Sequence, residues 1–243
     1  MTAEIWGDLW SSSQSAFARR YMATAIEKET LVCLAADLRT MADIQALITE
    51  VGPYIACLKL HVDIVEDWDI EGWMEICEVA KDLGVAIWED RKFADIGRVS
   101  RQQMAGAFDI RSWADIVTAH LISGPDIVQG LQNGWGDVGR EGGVLLLAQM
   151  SSRGNLLNEE YTATVVKHGN EIEGVLGYIG NGSEPNAIRT LRDIVGSTRM
   201  IWTPGINLNV GDGVAGQRYG HPREAVLAGA DCLIVGSGIH QSQ

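Results

Sequence analysis

Between Trp88 and Gly97 the chain reads Trp88-Glu89-Asp90-Arg91-Lys92-Phe93-Ala94-Asp95-Ile96-Gly97, and five of the seven residues from Glu89 to Asp95 ionise. They follow directly on an apolar run, Val85-Ala86-Ile87-Trp88. A strand buried on both faces reads as such a run. Charges at its carboxyl end sit where α/β folds place their chemistry. Asp90, Lys92 and Asp95 therefore read as a site. The bland alternative on local sequence alone is a solvated loop with incidental charges.

The elements that must position these residues follow from the rest of the chain. Apolar strand-like runs occur at Leu31–Leu34, Tyr54–Leu60, Val85–Trp88, Ile116–Ala119, Val144–Met150, Val175–Ile179, Met200–Thr203 and Cys232–Val235, eight in all. Helical patterns lie between several of them: Ile44–Val51, Trp73–Leu83, Arg98–Phe108, Ala187–Val195 and Arg223–Ala228. A further helix, Phe17–Glu29, precedes the first strand. Strand and helix alternating in this way give a parallel sheet, and eight units give a closed barrel. The expectation is a single (β/α)8-barrel domain over residues 1–243, with an N-terminal helical segment over about residues 1–30. An open doubly wound sheet is the runner-up. It would want Gly-x-Gly-x-x-Gly after the first strand, where this chain has Asp37-Leu38-Arg39-Thr40. Gly236-Ser237-Gly238 follows the eighth run, where barrels usually cradle phosphate, although turn geometry is the commoner cause of such glycines.

Composition narrows the function. The 243 residues are 46% hydrophobic and 21% charged, as in an ordinary globular protein. No apolar run approaches the ~20 residues that span a bilayer. The amino end, with Glu4, Asp8 and a serine-rich patch, lacks the basic start and apolar core of a secretory signal. The expectation is a cytoplasmic protein without a membrane partner. A net charge of -13 argues against nucleic-acid binding, which needs clustered Lys and Arg. Cys33, Cys57, Cys77 and Cys232 are widely spaced and read as buried reduced thiols. The histidines lack His-Glu-x-x-His spacing, so no metal is expected.

Charged residues at the strand ends can be collected: Asp37 after the first, Lys59 with His61 and Asp63 at the second, then Asp90, Lys92 and Asp95. In a barrel all face one end and can converge. Each charge in such an array is tolerable only through opposite-sign neighbours, and the array perturbs every pKa inside it. Arrays of this kind mark functional sites more often than packing.

Leu58-Lys59-Leu60-His61-Val62-Asp63-Ile64 followed by Glu89-Asp90-Arg91-Lys92-Phe93-Ala94-Asp95-Ile96-Gly97 resembles the orotidine 5'-monophosphate decarboxylase family, especially its fungal branch. The resemblance runs from about residue 30 to 240. It takes in Leu34–Thr40, Trp113–Ile116, Ala148–Gly154, Thr203-Pro204-Gly205, Gly216-Gln217-Arg218-Tyr219 and Val235–Gly238. It implies a cofactor-free decarboxylation of a small-molecule carboxylate, for this family a nucleotide, in a homodimer of barrels with shared active sites. Lys59, Asp90 and Lys92 would come from one subunit and Asp95 from the other. Asp37 would hydrogen-bond Lys59 and the ribose, Asp90 would crowd the departing carboxylate, and Lys92 would stabilise and then protonate the carbanion. Ser151 would read the pyrimidine edge, and Gln217 and Tyr219 would close over the phosphate beside Gly236. Read without the family, those three are an ordinary loop serine and a polar loop.

The departures point to the substrate. Where the family has an arginine, in Val-Gly-Arg-Gly, this chain has Ser237. A neutral hydroxyl contributes roughly half as much per hydrogen bond as a charged group, so Ser237 should hold a phosphodianion poorly. Val99 stands where a family threonine helps hold the ribose, and Leu121 replaces a family glycine near the barrel mouth. The loop Gly180-Asn181-Gly182-Ser183-Glu184-Pro185 also differs. Together these changes narrow or reshape the pocket. The chain ends at Gln243, just after the eighth strand, short of the family's closing helix. The expected function is a carboxy-lyase of this family acting on orotidine 5'-monophosphate or a related carboxylate. A paralogue with an altered, unphosphorylated substrate in specialised metabolism is one alternative, and a catalytically silent ligand-binding barrel is another.

Overall fold

The computed structural model describes residues 2–13, 15–213 and 216–240. Its centre is a closed parallel barrel of eight strands: β1 (Val32–Ala35), β2 (Cys57–Leu60), β3 (Ala86–Phe93), β4 (Ile116–Ala119), β5 (Gly143–Leu147), β6 (Val175–Ile179), β7 (Met200–Thr203) and β10 (Cys232–Val235). The closure, β10 against β1, sets aside the open-sheet alternative. An antiparallel ribbon of β8 (Gly211–Asp212) and β9 (Arg218–Tyr219) follows β7. Around the barrel stand α4 (Met41–Val51), α5 (Ile70–Asp82), α6 (Gly97–Met104), α7 (Asp126–Gly136), α8 (Glu159–Glu171), α9 (Pro185–Val195) and α10 (Pro222–Leu227). Among the described residues no helix is long and apolar enough to cross a membrane. A short turn of helix, α11 (Ser237–His240), follows β10, and Gln243 itself lies outside the described residues.

Three N-terminal helices, α1 (Thr2–Trp6), α2 (Asp8–Ser12) and α3 (Ala16–Glu27), lie at the amino end of the strands. Ser15 starts α3 by accepting the Ala18 amide, which satisfies one of the orphan donors of a helix start. Phe17, Ala18, Tyr21, Met22 and Ala25 then recur at helical spacing and are buried. They share an apolar cluster with the inward residues Cys33, Cys57, Trp88, Trp202 and Cys232, so α3 plugs the barrel floor. All four cysteines are free and buried.

Two regions differ from the expected elements. β3 does not stop at Trp88 but runs on to Phe93, through the charged residues. The β3–β4 register pairs Glu89 with Val117 and then Lys92 with Thr118, so β3 carries a bulge at Asp90 and Arg91. Bulges re-aim side chains and are common beside active sites. α7 holds three glycines and would score poorly on propensity. Close packing explains two of them. A Cβ on Gly130 would stand 2.1 Å from the Gly97 carbonyl oxygen and one on Gly134 3.0 Å from Met104 Sδ, so α6 and α7 touch backbone to backbone. That contact holds the start of α6, immediately after Asp95.

Candidate active site

Period-2 alternation selects which residues meet inside the barrel. Along β2 and β3 the inward set is Cys57, Lys59, Ala86, Trp88 and Asp90, with Lys92 continuing at the mouth. Lys59 is buried and its Nζ lies 3.2 Å from Asp90 Oδ2 and 3.5 Å from Asp37 Oδ1. Lys92 Nζ lies 3.0 Å from the same Asp90 Oδ2. One carboxylate oxygen thus faces two ammonium groups. The other, Oδ1, accepts the Thr118 hydroxyl at 2.7 Å. His61 completes the cluster with Nε2 2.9 Å from Lys59 Nζ and 3.6 Å from Asp90 Oδ2.

These distances set the charge states. Burial works against ionised Asp90, but Lys59, Lys92, His61 and the Thr118 hydroxyl outweigh it and hold its pKa down at about 2. Burial likewise opposes the Lys59 ammonium, and Asp90 and Asp37 outweigh it, raising the pKa above that of an ordinary lysine. Burial first, then Lys59, pushes the His61 pKa down. The imidazole is therefore neutral at pH 7 and its Nε2 accepts from Lys59. The array of Lys59, Lys92, Asp37 and Asp90 is charge-balanced.

Behind the array sits Glu89, fully buried, with Oε2 accepting the Val62 amide at 3.0 Å and Oε1 without a partner. Burial raises its pKa to about 8, so the carboxyl is protonated at neutral pH. His61, Asp63 and Glu89 offer atoms within 4.8 Å of one another and form the grouping that could hold a metal ion. A dication there would lie beside the Lys59 ammonium, and Asp63 is 3.7 Å from Arg91. The donors suit a proton better than a metal.

Asp95 stands apart. Its side chain is exposed, Oδ1 accepts the Ile96 amide at 2.7 Å, and among the described residues it ion-pairs with no side chain. The Ser100 and Ser123 hydroxyls bond its backbone carbonyl and pin the loop. A cavity of about 590 Å³ opens over this strand end, lined by His61, Asp90, Lys92 and Asp95 among others.

The second group of expected residues lies across the mouth. Gln217 Nε2 donates to Ser151 Oγ at 3.1 Å, joining the loops after β5 and β7. Gly205 sits beneath this contact at φ +76, and a Cβ there would stand 2.6 Å from the Arg218 carbonyl oxygen. The Tyr219 and Ser237 hydroxyls lie 3.3 Å apart. Gly236 packs on Ala35 of β1, with His240 Nε2 nearby. Arg218 pairs with Glu184, and Arg153 Nη2 with Asp212 Oδ2 at 2.6 Å.

Leu121 needs correction. It is buried in the apolar cluster between strands and helices, on the one-turn 3-10 segment Leu121–Ser123, and does not narrow the mouth. Val99 is half-buried on α6. Sequence reasoning passed over Trp88 and Thr118, the inward neighbours of Asp90. Their signal was parity alone: Trp88 precedes Asp90 by two residues, and Thr118 precedes His120 by two.

With the geometry in place, comparison with known proteins gives a consistent answer. A family model described as "Orotidine 5'-phosphate decarboxylase / HUMPS family" matches residues 30–243. The chain is 36% identical over 233 residues to an orotidine 5'-phosphate decarboxylase of Kodamaea ohmeri, covering 93% of this chain and 85% of that protein. It is 37% identical to the enzyme of that name from Schizophyllum commune, covering 92% and 81%. The crystal structure of orotidine 5'-phosphate decarboxylase from Pyrococcus horikoshii OT3 superposes with a TM-score of 0.66 at 27% identity, covering 87% of this chain and 91% of that one. By sequence and by fold, the chain belongs to the orotidine 5'-phosphate decarboxylase / HUMPS family.

Proposed function

We propose that the chain is a cofactor-free carboxy-lyase in which Lys59, Asp90, Lys92 and a partner subunit's Asp95 form the reacting array. The observation that carries this reading is the single Asp90 oxygen shared by Lys59 at 3.2 Å and Lys92 at 3.0 Å. Losing carbon dioxide without an electron sink leaves a localised carbanion, so a fixed ammonium must stand where that charge appears. Lys92 suits the role because it reaches the cavity while Asp90 fixes its position.

The sequence of events follows from the charges. A bound substrate carboxylate adds one negative charge to a balanced array, next to Asp90. Breaking the ring-carboxyl bond releases neutral carbon dioxide and leaves the electron pair on the ring carbon. Lys92 stabilises that pair and then gives it a proton. Relief of repulsion at Asp90 adds to the driving force, in the contested sense of ground-state destabilisation. Asp37 orients Lys59 and is available to a ribose hydroxyl. Ser151 with Gln217 would read the ring edge, and Tyr219, Gly236 and Ser237 would take the far end of the substrate. Asp95, exposed and free of array contacts in its own protomer, fits service to a neighbouring site in a homodimer.

The substrate is orotidine 5'-monophosphate or a related carboxylate. The contact of two neutral hydroxyls, Tyr219 and Ser237, favours a second reading in which the far end of the substrate is unphosphorylated. The test is to incubate the protein with orotidine 5'-monophosphate and with orotidine, following the loss of absorbance of each. Turnover of either supports the carboxy-lyase reading, and the ratio selects between the two substrates. No turnover of either, nor of other carboxylated pyrimidines, by a folded dimer would leave the silent barrel. A mixture of Lys92→Ala and Asp95→Ala protomers should regain part of the activity, because each heterodimer holds one site free of both lesions. No regain after confirmed subunit exchange would remove the shared site.

A further inference from the structure

The ion pairs of Asp90 with its two lysines both run to Oδ2, and the structure contains a device on the other oxygen. Trp88 Nε1 donates to Thr118 Oγ1 at 2.9 Å, and Thr118 Oγ1 donates to Asp90 Oδ1 at 2.7 Å. The direction of this chain is forced. An indole N–H can only donate, and a threonine hydroxyl has one hydrogen to give. With its lone pair engaged by Trp88, the Thr118 hydroxyl turns its hydrogen to the carboxylate. The 2.7 Å length falls in the range of a hydrogen bond to an ionised acceptor.

The relay is anchored from the barrel floor. Trp88 and Thr118 are buried. The Trp88 ring packs edge-on against Trp202 at 5.5 Å between centroids, and Trp202 lies 5.0 Å from Tyr21 of α3. The β3 bulge supplies the other half: because Glu89 pairs with Val117 and Lys92 with Thr118, Asp90 is left over beside the inward hydroxyl of β4. A terminal carboxylate turns in a broad, nearly two-fold torsional well. Something must therefore choose which oxygen faces the lysines.

We propose that Thr118 is a positioning residue that receives the Trp88 indole hydrogen and passes its own to Asp90 Oδ1, thereby committing Oδ2 to Lys59 and Lys92. The kinetic consequence rests on the decarboxylase reading, whereas the orientation of Asp90 does not. The groups facing Asp90 are Lys59 and His61 from the end of β2, Lys92 and Glu89 from β3 itself, and Thr118 from β4. Asp37 acts through Lys59, and His120 lies against Lys92. Of these, Thr118 alone is uncharged and non-titrating, so its removal changes orientation without changing the charge count.

The test compares Thr118→Val, which keeps the shape, with Thr118→Ser, which keeps the hydroxyl. In the unliganded protein, carbon-13 NMR of Asp90 should show its titration moving upward in Thr118→Val and returning in Thr118→Ser. The Trp88 indole N–H resonance should shift only in Thr118→Val. On whichever substrate the parent turns over, kcat should fall about tenfold or more in Thr118→Val, the loss expected of a hydrogen bond to a charged group, with KM little changed. An unmoved Asp90 titration in a folded Thr118→Val protein overturns the inference, whether or not the parent shows activity. A Thr118→Val protein that fails to fold leaves Trp88→Phe for the same carboxyl measurement: an unmoved titration there overturns the relay, and an upward shift supports it.

Discussion

The two sides of the barrel mouth are built on opposite principles. On the β1–β4 side, Lys59 and Asp90 are buried on strands and hold each other ionised across 3.2 Å, with Lys92 3.0 Å from the same carboxylate oxygen. On the β5–β10 side, loops meet through the neutral pairs Ser151–Gln217 and Tyr219–Ser237 and the exposed pair Arg153–Asp212. Removing one partner of a buried ion pair strands the other charge and costs ~3–5 kcal/mol. An exposed pair contributes ~0–1 kcal/mol. Substitutions at the buried Lys59 and Asp90 are thus costly to the fold, and substitutions on the second side are cheap. The four array residues Asp37, Lys59, Asp90 and Lys92 are intact, while Ser237 and the loop from Gly180 to Pro185 differ on the second side and Val99 and Leu121 differ on the first, outside the array.

The sharpest way to break the comparison is Lys92→Ala. The side chain is about a third exposed, at 35%, so the fold should survive its loss. Turnover should fall by ~10³-fold or more on the proposed mechanism, in which the ammonium acts on charge present only in the transition state. Turnover and thermal melting measured together decide it, and a folded variant retaining a tenth of parental activity would remove Lys92 from the chemistry.

Glu89 probes how dry the first side is. Its pKa is raised from the ~4.3 of an unfolded chain to about 8. The native state therefore holds a proton that the unfolded state has lost. Stability from this group is fully present below pH ~4.3 and is lost as pH rises through about 8. Glu89→Gln keeps an acceptor for Val62 and cannot ionise. The melting temperature of the variant relative to the parent should rise from pH 5 to about 8, by an amount corresponding to a few kcal/mol, and level off above it. A difference independent of pH would mean that water reaches Glu89.

Ser237→Arg tests the malleable side. A guanidinium beside Tyr219 and Gln217 should raise catalytic efficiency on orotidine 5'-monophosphate ~10- to 100-fold, the worth of a charge-assisted contact. Efficiency on orotidine should stay level. Since Leu121 is packed away in the core, it does not stand in the nucleotide's way. A variant with no gain on the phosphorylated compound would show that more of this side has been rebuilt than one residue.

How much of this was legible beforehand depended on what each segment buries. Ile116–Ala119, Val175–Ile179, Met200–Thr203 and Cys232–Val235 are strands with the bounds their apolar runs suggest, because both faces of each are covered. β3 was cut short at Trp88 since its last five residues include four charged ones, and only pairing with β4 reveals them as strand. α7 was lost to its glycines, and α8 to a sequence rich in threonine and valine with no strong helical stripe. Within the site, charge betrayed Asp37, Lys59, Asp90 and Lys92. Trp88 and Thr118 carry none, and the hydrogen-bond chain from Trp88 through Thr118 to Asp90 depends on a bulge that no local pattern announces. Leu121 keeps the outward parity of Val117 and Ala119 and packs with them in the helix layer, which a position-by-position family resemblance does not show.

The smallest expected effect belongs to Arg153→Ala. Arg153 and Asp212 are 66% and 67% exposed, and their contact ties the loop after β5 to the ribbon formed by β8 and β9. The Arg153 amide also donates to the Gly216 carbonyl, a bond the substitution leaves in place. Two solvated side chains give up rotamer freedom to meet, so the net gain is under ~1 kcal/mol and is screened by salt. Thermal stability should change by less than about 1 kcal/mol. Catalytic efficiency should fall by no more than ~5-fold at low ionic strength, the equivalent of 1 kcal/mol. At 1 M salt, where the screening length is ~3 Å, parent and variant should converge. A loss beyond tenfold that persists in high salt would mean that this ion pair locks the ribbon over the site. The β5–β10 side would then be as rigid as the array, and tolerance of change there could not explain a shifted substrate.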